Sequence, residues 1–176
     1  MSQMEIRLGG SGGQGLILAG IILAEAAILD GKNAVQSQSY GPEARGGASK
    51  AEVIISDKGI DFPKVNEADV LLVLTQEAYD KYSAGLNKDG TLIADSQVNV
   101  EASAFGDVYH LPMTDTAAKK LGRTMVANII ALGVIQSATD VVSRESLEQA
   151  VLGRVPKGTE ELNQKALAEG YALAAR

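Results

Sequence analysis

Residues 8–20, LGGSGGQGLILAG, place five glycines within the seven positions 9–15 and continue at once into an apolar helical pattern. Within this stretch, GGSGGQG contains the motif G-x-G-x-x-G at residues 10–15, and EIRL before it is typical of a short strand. Glycines permit positive φ and a close approach of the backbone, while the free N–H groups at the start of a helix attract an anion. The stretch therefore predicts a strand, a turn able to hold a phosphate, and a helix.

Strand patterns and helical patterns alternate through the rest of the chain. Further strands are predicted at residues 34–39, 50–55, 69–74, 91–95 and 107–111, with a turn at 88–90. Helices are predicted at residues 15–29, 114–120, 124–137, 143–151 and 159–174. In the predicted strand at 69–74, the residues after Asp69, VLLVL at 70–74, are all apolar, which is typical of a strand buried on both faces of a parallel sheet. These patterns predict a three-layer α/β/α, Rossmann-like domain with a mostly parallel sheet and a helical C-terminal part.

Length and composition exclude several classes of protein. A chain of 176 residues fits one domain, spanning 1–176. Acidic residues outnumber basic ones by 22 to 16, which argues against nucleic acid and anionic membranes as partners. Without cysteine, the chain cannot form disulfides, zinc-thiolate sites or cysteine-ligated iron–sulfur clusters. The N-terminus lacks a secretory signal and residues 16–29 are too short to span a bilayer, so we expect a cytoplasmic protein.

A dinucleotide-binding fold would also need an acidic residue for the ribose, about 20 residues beyond the glycine loop. That region reads QSQSY at residues 36–40 and contains no carboxylate. A Walker loop is excluded as well, because no Gly-Lys-Ser/Thr follows the glycines. The alternative is that the glycines only permit a tight turn and close helix packing, and the motif alone leaves both interpretations open.

A second glycine-rich segment, SYGPEARGGASKAEV, occupies residues 39–53. In it Arg45 follows Pro42 and Glu43 and precedes Gly46 and Gly47. Proline restricts the backbone before the arginine and the glycines leave it free after it, so the loop can present the guanidinium to a ligand or another chain. Paired glycines beside an arginine favour close approach of a ligand or another chain. The alternative is a surface loop with solvated charges.

The order of four segments, GGSGGQGLILAG, QSQSYGPEARGGASKAEVIIS, ADVLLVLTQEAYDKY and NIIALG, resembles the gamma subunit, or gamma domain, of the 2-oxoacid:ferredoxin oxidoreductases. The resemblance extends over residues 6–172, and SYGPEARGG is more similar to the 2-oxoglutarate and general 2-oxoacid branches than to the pyruvate branch. It implies a compact α/β subunit that assembles with alpha and beta partners and, where present, a ferredoxin-like delta subunit. The complex oxidatively decarboxylates a 2-oxoacid, reduces ferredoxin and forms an acyl-CoA.

The same resemblance implies how cofactors are divided among the subunits. The chain has neither the Gly-Asp-Gly segment nor the asparagine pair that hold thiamine diphosphate and magnesium in such enzymes. Thiamine diphosphate, magnesium and iron–sulfur clusters are therefore expected on partner subunits, CoA is a substrate of the complex, and this chain contributes no catalytic residue and no metal ligand. We assign no role to His110, the only histidine.

We expect the two loops to form one face that meets either the phosphate-bearing end of CoA or a partner subunit. The candidate residues of this face are Gly10, Gly12, Gly13, Gln14 and Gly15 in the first loop and Glu43, Arg45, Gly46 and Gly47 in the second. Two other functions remain as alternatives: a stand-alone oxidoreductase that binds NAD(P) or FAD, and a regulatory module that binds a mononucleotide.

Arg45 tests the functional interpretation of the second loop. Arg45→Ala is expected to change the stability of the isolated chain by no more than about ±0.5 kcal/mol. In a complex reconstituted with its partner subunits, it should weaken association or raise the Michaelis constant for CoA, at a cost of about 1.5–3 kcal/mol for the lost charged hydrogen bond. Arg45→Lys should recover only part of the lost association or CoA affinity, because the lysine ammonium is a point charge and lacks the planar fork of donors of arginine. An Arg45→Ala complex that assembles and turns over like the parent at every CoA concentration would identify the loop as a solvated surface turn.

Overall fold

The computed structural model describes residues 2–39 and 47–175. The strands of its sheet are β1 Gln3–Ser11, β2 Asn33–Gln38, β3 Ala48–Ser56, β4 Ala68–Val73, β5 Leu86–Asp95 and β6 Asp107–Leu111. The helices are α1 Leu16–Leu29, α2 Gln76–Tyr82, α3 Met113–Asp115, α4 Ala127–Thr139, α5 Arg144–Arg154 and α6 Glu160–Ala174. Of these helices, only α1 and α2 interrupt the series of six strands, and α3 to α6 follow β6, as the sequence patterns predicted for the C-terminal part.

The sheet has the strand order β2-β3-β1-β4-β5-β6. Strands β1, β4, β5 and β6 are parallel to one another, whereas β3 is antiparallel to both β1 and β2. The prediction of a mostly parallel sheet in an α/β fold is confirmed. The order differs from that of a dinucleotide-binding fold, in which the second strand lies beside the first. Here the reversed β3 separates β1 from β2.

Both faces of the sheet are buried, and each inner strand alternates its side chains between them. In β4, Leu72 points into a core shared with α1, α4, α5 and α6, while Leu71 points into a smaller core that includes residues of α2. This explains why residues 70–74 are all apolar. The two helical layers are therefore unequal, and most of the C-terminal helical part packs on one face. That residues 1–176 form a single domain stays a prediction.

Two strand boundaries differ from those predicted. Strand β1 does not end at Leu8, because Gly9 and Gly10 still pair with Lys50 and Ser49 of β3. The turn predicted at residues 88–90 is wrong, since these residues lie inside β5. Pairing of β5 with β4 begins at Leu86 and its register shifts before Thr91, so the turn-like residues form an irregularity within the strand.

The helical segments also required corrections. Residues 114–120 form a π-type turn, Thr116–Lys120, after the short α3, and not one regular helix. The helix predicted from residue 124 begins with a 3₁₀ turn, Thr124–Val126, and becomes α-helical only at Ala127. Helix α2 was not predicted, although Thr75 caps it by accepting a hydrogen bond from the Ala78 N–H. No helix within the described ranges is long and apolar enough to cross a membrane.

The far end of α1 is tied to α5 through Asp30. Its carboxylate accepts hydrogen bonds from the N–H and hydroxyl of Ser143, at 2.6 and 2.7 Å, and from the hydroxyl of Ser146 at 2.6 Å. Burial alone would raise the pKa of Asp30, but these hydrogen bonds outweigh it and the pKa is lowered. The carboxylate therefore stays ionised at neutral pH and holds α5 against α1.

The backbones of helices α4 and α6 are in direct contact where the helices cross, at Gly133 and Gly170. A Cβ on Gly133 would lie 2.6 Å from the Leu167 carbonyl oxygen and 3.0 Å from the Gly170 Cα. A Cβ on Gly170 would overlap the Ile130 carbonyl oxygen. Because backbone atoms cannot move aside as a side chain can, both positions must be glycine. The crossing fixes α4, the helix that reaches the glycine loop.

Gly133→Ala should destabilise the protein by about 1–3 kcal/mol, the usual effect of overfilling a packed site. Gly153→Ala is the matched control, since Gly153 is also helical but a Cβ there meets no atom within 4 Å. The control should be neutral or more stable by about 0.5–1 kcal/mol, because alanine favours a helix. Chemical denaturation of both variants measures the difference. Equal stabilities would show that the two helices can separate at little cost.

Candidate functional site

The first glycine loop is a tight turn between β1 and α1, stabilised by its own Gln14. The side-chain oxygen of Gln14 accepts a hydrogen bond from the Ser11 N–H at 2.8 Å. Gly13 and Gly15 have φ of +87° and +74°, a region that side chains rarely adopt, and Gly15 caps the start of α1. The first turn of α1 contains no acidic residue, so its free N–H groups retain their attraction for an anion.

Packing explains three of the glycines at this turn. A Cβ on Gly9 would lie 2.8 Å from the Tyr82 ring, one on Gly10 would lie 2.8 Å from Leu16, and one on Gly15 would lie 2.6 Å from the Asn128 amide nitrogen. These glycines bring side chains of α1 and α2 against the end of β1, and a side chain of α4 against the loop that follows it. For Gly10 and Gly15, the interpretation that glycine permits close packing is supported.

Gly12 and Gly13 differ from these three. Both are exposed, and a Cβ on Gly13 would meet no atom within 4 Å. The positive φ still requires glycine at Gly13, but nothing in the described part of the chain occupies the space above it. The tip of the loop therefore presents bare backbone to the outside.

The second loop can be placed only by its ends. Glu43, Arg45 and Gly46 lie outside the described residues, whereas Gly47 is described and half-buried. Ala48, the next residue, pairs with Ser11 across β3 and β1. The Tyr82 hydroxyl donates to the Ala48 carbonyl at 3.3 Å while its ring lies against Gly9.

Tyr82 therefore contacts both the strand that leads into the first loop and the strand that leaves the second. The described end of the second loop lies at the same sheet edge as the first loop. That Gly10, Gly12, Gly13, Gln14, Gly15, Glu43, Arg45, Gly46 and Gly47 bind a ligand or a partner stays a prediction.

A cleft of about 440 Å³ opens beside the first loop, at the carboxyl ends of β1, β4 and β5. This position is the switch point of the sheet, because β3 and β2 lie on one side of β1, and β4 and the later strands lie on the other. Its lining consists largely of amide and hydroxyl side chains: Gln14, Leu74, Thr75, Gln76, Gln97, Val98, Thr114, Asp115, Ala118 and Thr124. Open α/β sheets bind ligands at such points, so the cleft and the glycine loop together form the candidate site.

Of these lining residues, the sequence motifs pointed only to Gln14. A signal was present for Thr75, which directly follows an apolar strand and begins a helix. Leu74 and Gln76 flank Thr75 in the sequence. The remaining lining residues come from residues 97–98, 114–118 and 124, which only the folded sheet brings together.

A buried carboxylate, Asp95, organises the floor of the cleft. It is fully buried at the end of β5. One of its oxygens accepts from the N–H and hydroxyl of Thr114, both at 2.9 Å, and the other from the Gln97 N–H at 3.1 Å. Since Thr114 and Gln97 both line the cleft, this carboxylate sets their positions.

The described residues show no arrangement suited to acid–base or metal catalysis. His110 is exposed, and its Nε2 donates to the Val98 carbonyl at 2.8 Å, so it serves as a structural tie. Within residues 2–39 and 47–175 no group of three or more potential metal ligands is found. Asp115, at the cleft, lies 3.7 Å from the ammonium of Lys119, one turn further along the chain. The arrangement suits binding of a polar ligand through backbone N–H groups, amides and hydroxyls.

Comparison with known proteins gives concordant results. The family model described as pyruvate ferredoxin/flavodoxin oxidoreductase matches residues 5–173. The 2-oxoglutarate synthase subunit KorC of Methanocaldococcus jannaschii is 52% identical over 174 residues, which cover 97% of this chain and 93% of that subunit. The crystal structure of the keto/oxoacid ferredoxin oxidoreductase gamma subunit from Geobacter sulfurreducens is 54% identical, with a TM-score of 0.87 and coverage of 97% and 98%. The resemblance stated from the sequence is confirmed.

A third comparison supports the fold alone. The 2-oxoglutarate:ferredoxin oxidoreductase from Magnetococcus marinus, solved with 2-oxoglutarate, coenzyme A and succinyl-CoA bound, has a TM-score of 0.88 at 23% identity. The match covers 99% of this chain but 31% of that one. The same architecture therefore occurs both as a separate gamma subunit and as part of a longer chain.

Asp95→Asn should lower the free energy of unfolding by about 1–3 kcal/mol, because an amide cannot accept the hydrogen bonds of all three donors and leaves buried groups unpaired. Asp61→Asn removes the same charge from an exposed loop residue and is the control. Denaturant titration of both chains at neutral pH gives the comparison. If the two variants were equally stable, the carboxylate would not be needed to hold Thr114 and Gln97.

Proposed function

Since this chain belongs to the pyruvate ferredoxin/flavodoxin oxidoreductase family, we propose that it is the gamma subunit of a multisubunit 2-oxoacid:ferredoxin oxidoreductase. The complex oxidatively decarboxylates a 2-oxoacid to an acyl-CoA and reduces ferredoxin. The observation that carries this proposal is the match, over almost the full length of both chains, to a gamma subunit of known structure at 54% identity. The similarity to 2-oxoglutarate synthase subunits favours 2-oxoglutarate as the substrate.

We further propose that the redox cofactors lie on partner subunits. The chain has no cysteine for an iron–sulfur cluster, and its described residues offer no cluster of metal ligands. Thiamine diphosphate, magnesium and the iron–sulfur clusters then belong to alpha and beta chains and, where present, a ferredoxin-like delta chain. Ferredoxin receives the electrons from those chains. The expected cytoplasmic location stays a prediction.

The glycine loop is proposed to receive the phosphate-bearing end of CoA. Three features support this: the bare backbone at Gly13, the start of α1 with no acidic residue in its first turn, and the polar cleft beside them. Arg45 is proposed to add the charged contact from the second loop. A partner subunit is the other candidate occupant of the same bare backbone.

No observation favours a stand-alone NAD(P)- or FAD-binding oxidoreductase. In that class an acidic residue at the end of β2 reaches the ribose from the strand beside β1. Here β2 lies one strand further out, and its end contains Gln36 and Gln38, whose side chains hydrogen-bond to each other at 2.8 Å. Both the residue type at the end of β2 and the strand order are therefore unsuitable for binding the ribose of a dinucleotide.

Gly13→Ala tests the proposed contact. In a complex reconstituted with its partner subunits, it should raise the Michaelis constant for CoA about tenfold to a hundredfold, the effect of losing a hydrogen bond to a charged group. The measurement varies CoA at saturating 2-oxoglutarate, and size-exclusion chromatography reports assembly.

The control is Gly31→Ala at the far end of α1. Gly31 also has a positive φ, +78°, and a Cβ there also meets nothing within 4 Å. Both variants should lose about 1–2 kcal/mol of stability from backbone strain. Weakened assembly of Gly13→Ala alone would assign the loop to a partner subunit instead of CoA. If the two variants behaved alike in assembly and in CoA kinetics, the loop would contact neither.

A further inference from the structure

The start of α1 is held in place by a residue from a distant part of the chain. Gly15 caps this helix in the left-handed region and has no side chain with which to anchor itself. Its carbonyl oxygen accepts the first hydrogen bond of the helix, from the Ala19 N–H at 3.0 Å, and a second from the Asn128 amide at 3.1 Å. The second bond connects the loop to α4, through a residue 113 positions away in the sequence.

Asn128 is well placed to hold the loop firmly. It is buried, with 5% of its surface exposed, and its side-chain oxygen accepts from the Ile129 N–H at 2.9 Å. Both ends of the amide are therefore engaged, which fixes its orientation. The helix that carries it, α4, is itself fixed by the close crossing of Gly133 and Gly170.

The contact between Gly15 and Asn128 is also complementary in shape. A Cβ on Gly15 would lie 2.6 Å from the Asn128 nitrogen, so the amide occupies the space that glycine leaves free. Movement of Asn128 would release the Gly15 carbonyl, and with it the orientation of the exposed N–H groups at the start of α1.

We infer that Asn128 is a positioning residue: its amide sets the geometry of residues 12–15, the loop proposed to meet CoA. The inference rests on the proposed function for the role of the loop, but not for the contact itself. Asn128 touches no reacting group and acts only through Gly15. The same bond couples the loop to α4 and α6, so the loop follows the position of the C-terminal helices.

Three variants in the assembled complex test the inference. Asn128→Ala removes both hydrogen bonds, while Asn128→Asp keeps the size and the bond from the Ile129 N–H but places an acceptor against the Gly15 carbonyl. Asn163→Ala is the matched control, since Asn163 is also 5% exposed and its amide donates to a backbone carbonyl, that of Thr159, at 2.9 Å. All should show comparable losses of thermal stability.

Amide hydrogen exchange of peptides covering residues 11–20 distinguishes positioning from general destabilisation. Both Asn128 variants should speed exchange there about two- to tenfold, the effect of losing one hydrogen bond, while Asn163→Ala should not. They should also raise the Michaelis constant for CoA by a similar factor with little change in kcat. Exchange no faster than in the Asn163→Ala complex would overturn the inference. Faster exchange with an unchanged Michaelis constant would support positioning by Asn128 and contradict the proposed CoA contact.

Discussion

The lack of space for side chains at the carboxyl end of β1 is the constraint on which the rest of the structure depends. A Cβ on Gly9, Gly10 or Gly15 would lie within 3 Å of Tyr82, Leu16 or Asn128, so each of these side chains would have to move. Glycine therefore lets α1 and α2 contact the end of β1, and lets α4 contact the loop that follows it. Side chains are therefore closely packed at the switch point of the sheet, directly beneath the glycine loop.

The reversal of β3 has a second consequence for function. Because β3 runs back beside β1, it returns the chain from the second glycine loop to the edge where the first loop lies. The same reversal moves β2 outward and removes the geometry that would bind the ribose of a dinucleotide. One topological feature thus favours two loops acting together and disfavours a nucleotide site of the usual kind.

The composition of the cleft favours binding of a polar ligand. The cleft is lined mostly by amides and hydroxyls, organised by a buried carboxylate that is fully engaged with Thr114 and Gln97. Amides and hydroxyls orient a polar ligand through hydrogen bonds. This composition agrees with the proposal that the subunit positions a substrate.

The sequence by itself determined the six strands and the helical C-terminal part, because apolar residues repeat with the period of each element. It also determined the family, because the order of the two glycine motifs is specific where each motif alone is weak. It could not reveal that β1 continues through Gly10, since a strand pairs with whatever chain lies beside it, and here that chain is β3.

Only the tertiary structure decided which glycines serve packing and which present bare backbone. Gly13 and Gly15 look alike in the sequence, yet Gly15 contacts a side chain 113 residues away, whereas a Cβ on Gly13 would meet no atom of residues 2–39 or 47–175 within 4 Å. The cleft depended on the fold for the same reason, since its lining comes from loops that follow different strands. Contacts of this kind are set by which elements the sheet places side by side, and no local pattern of residues records that arrangement.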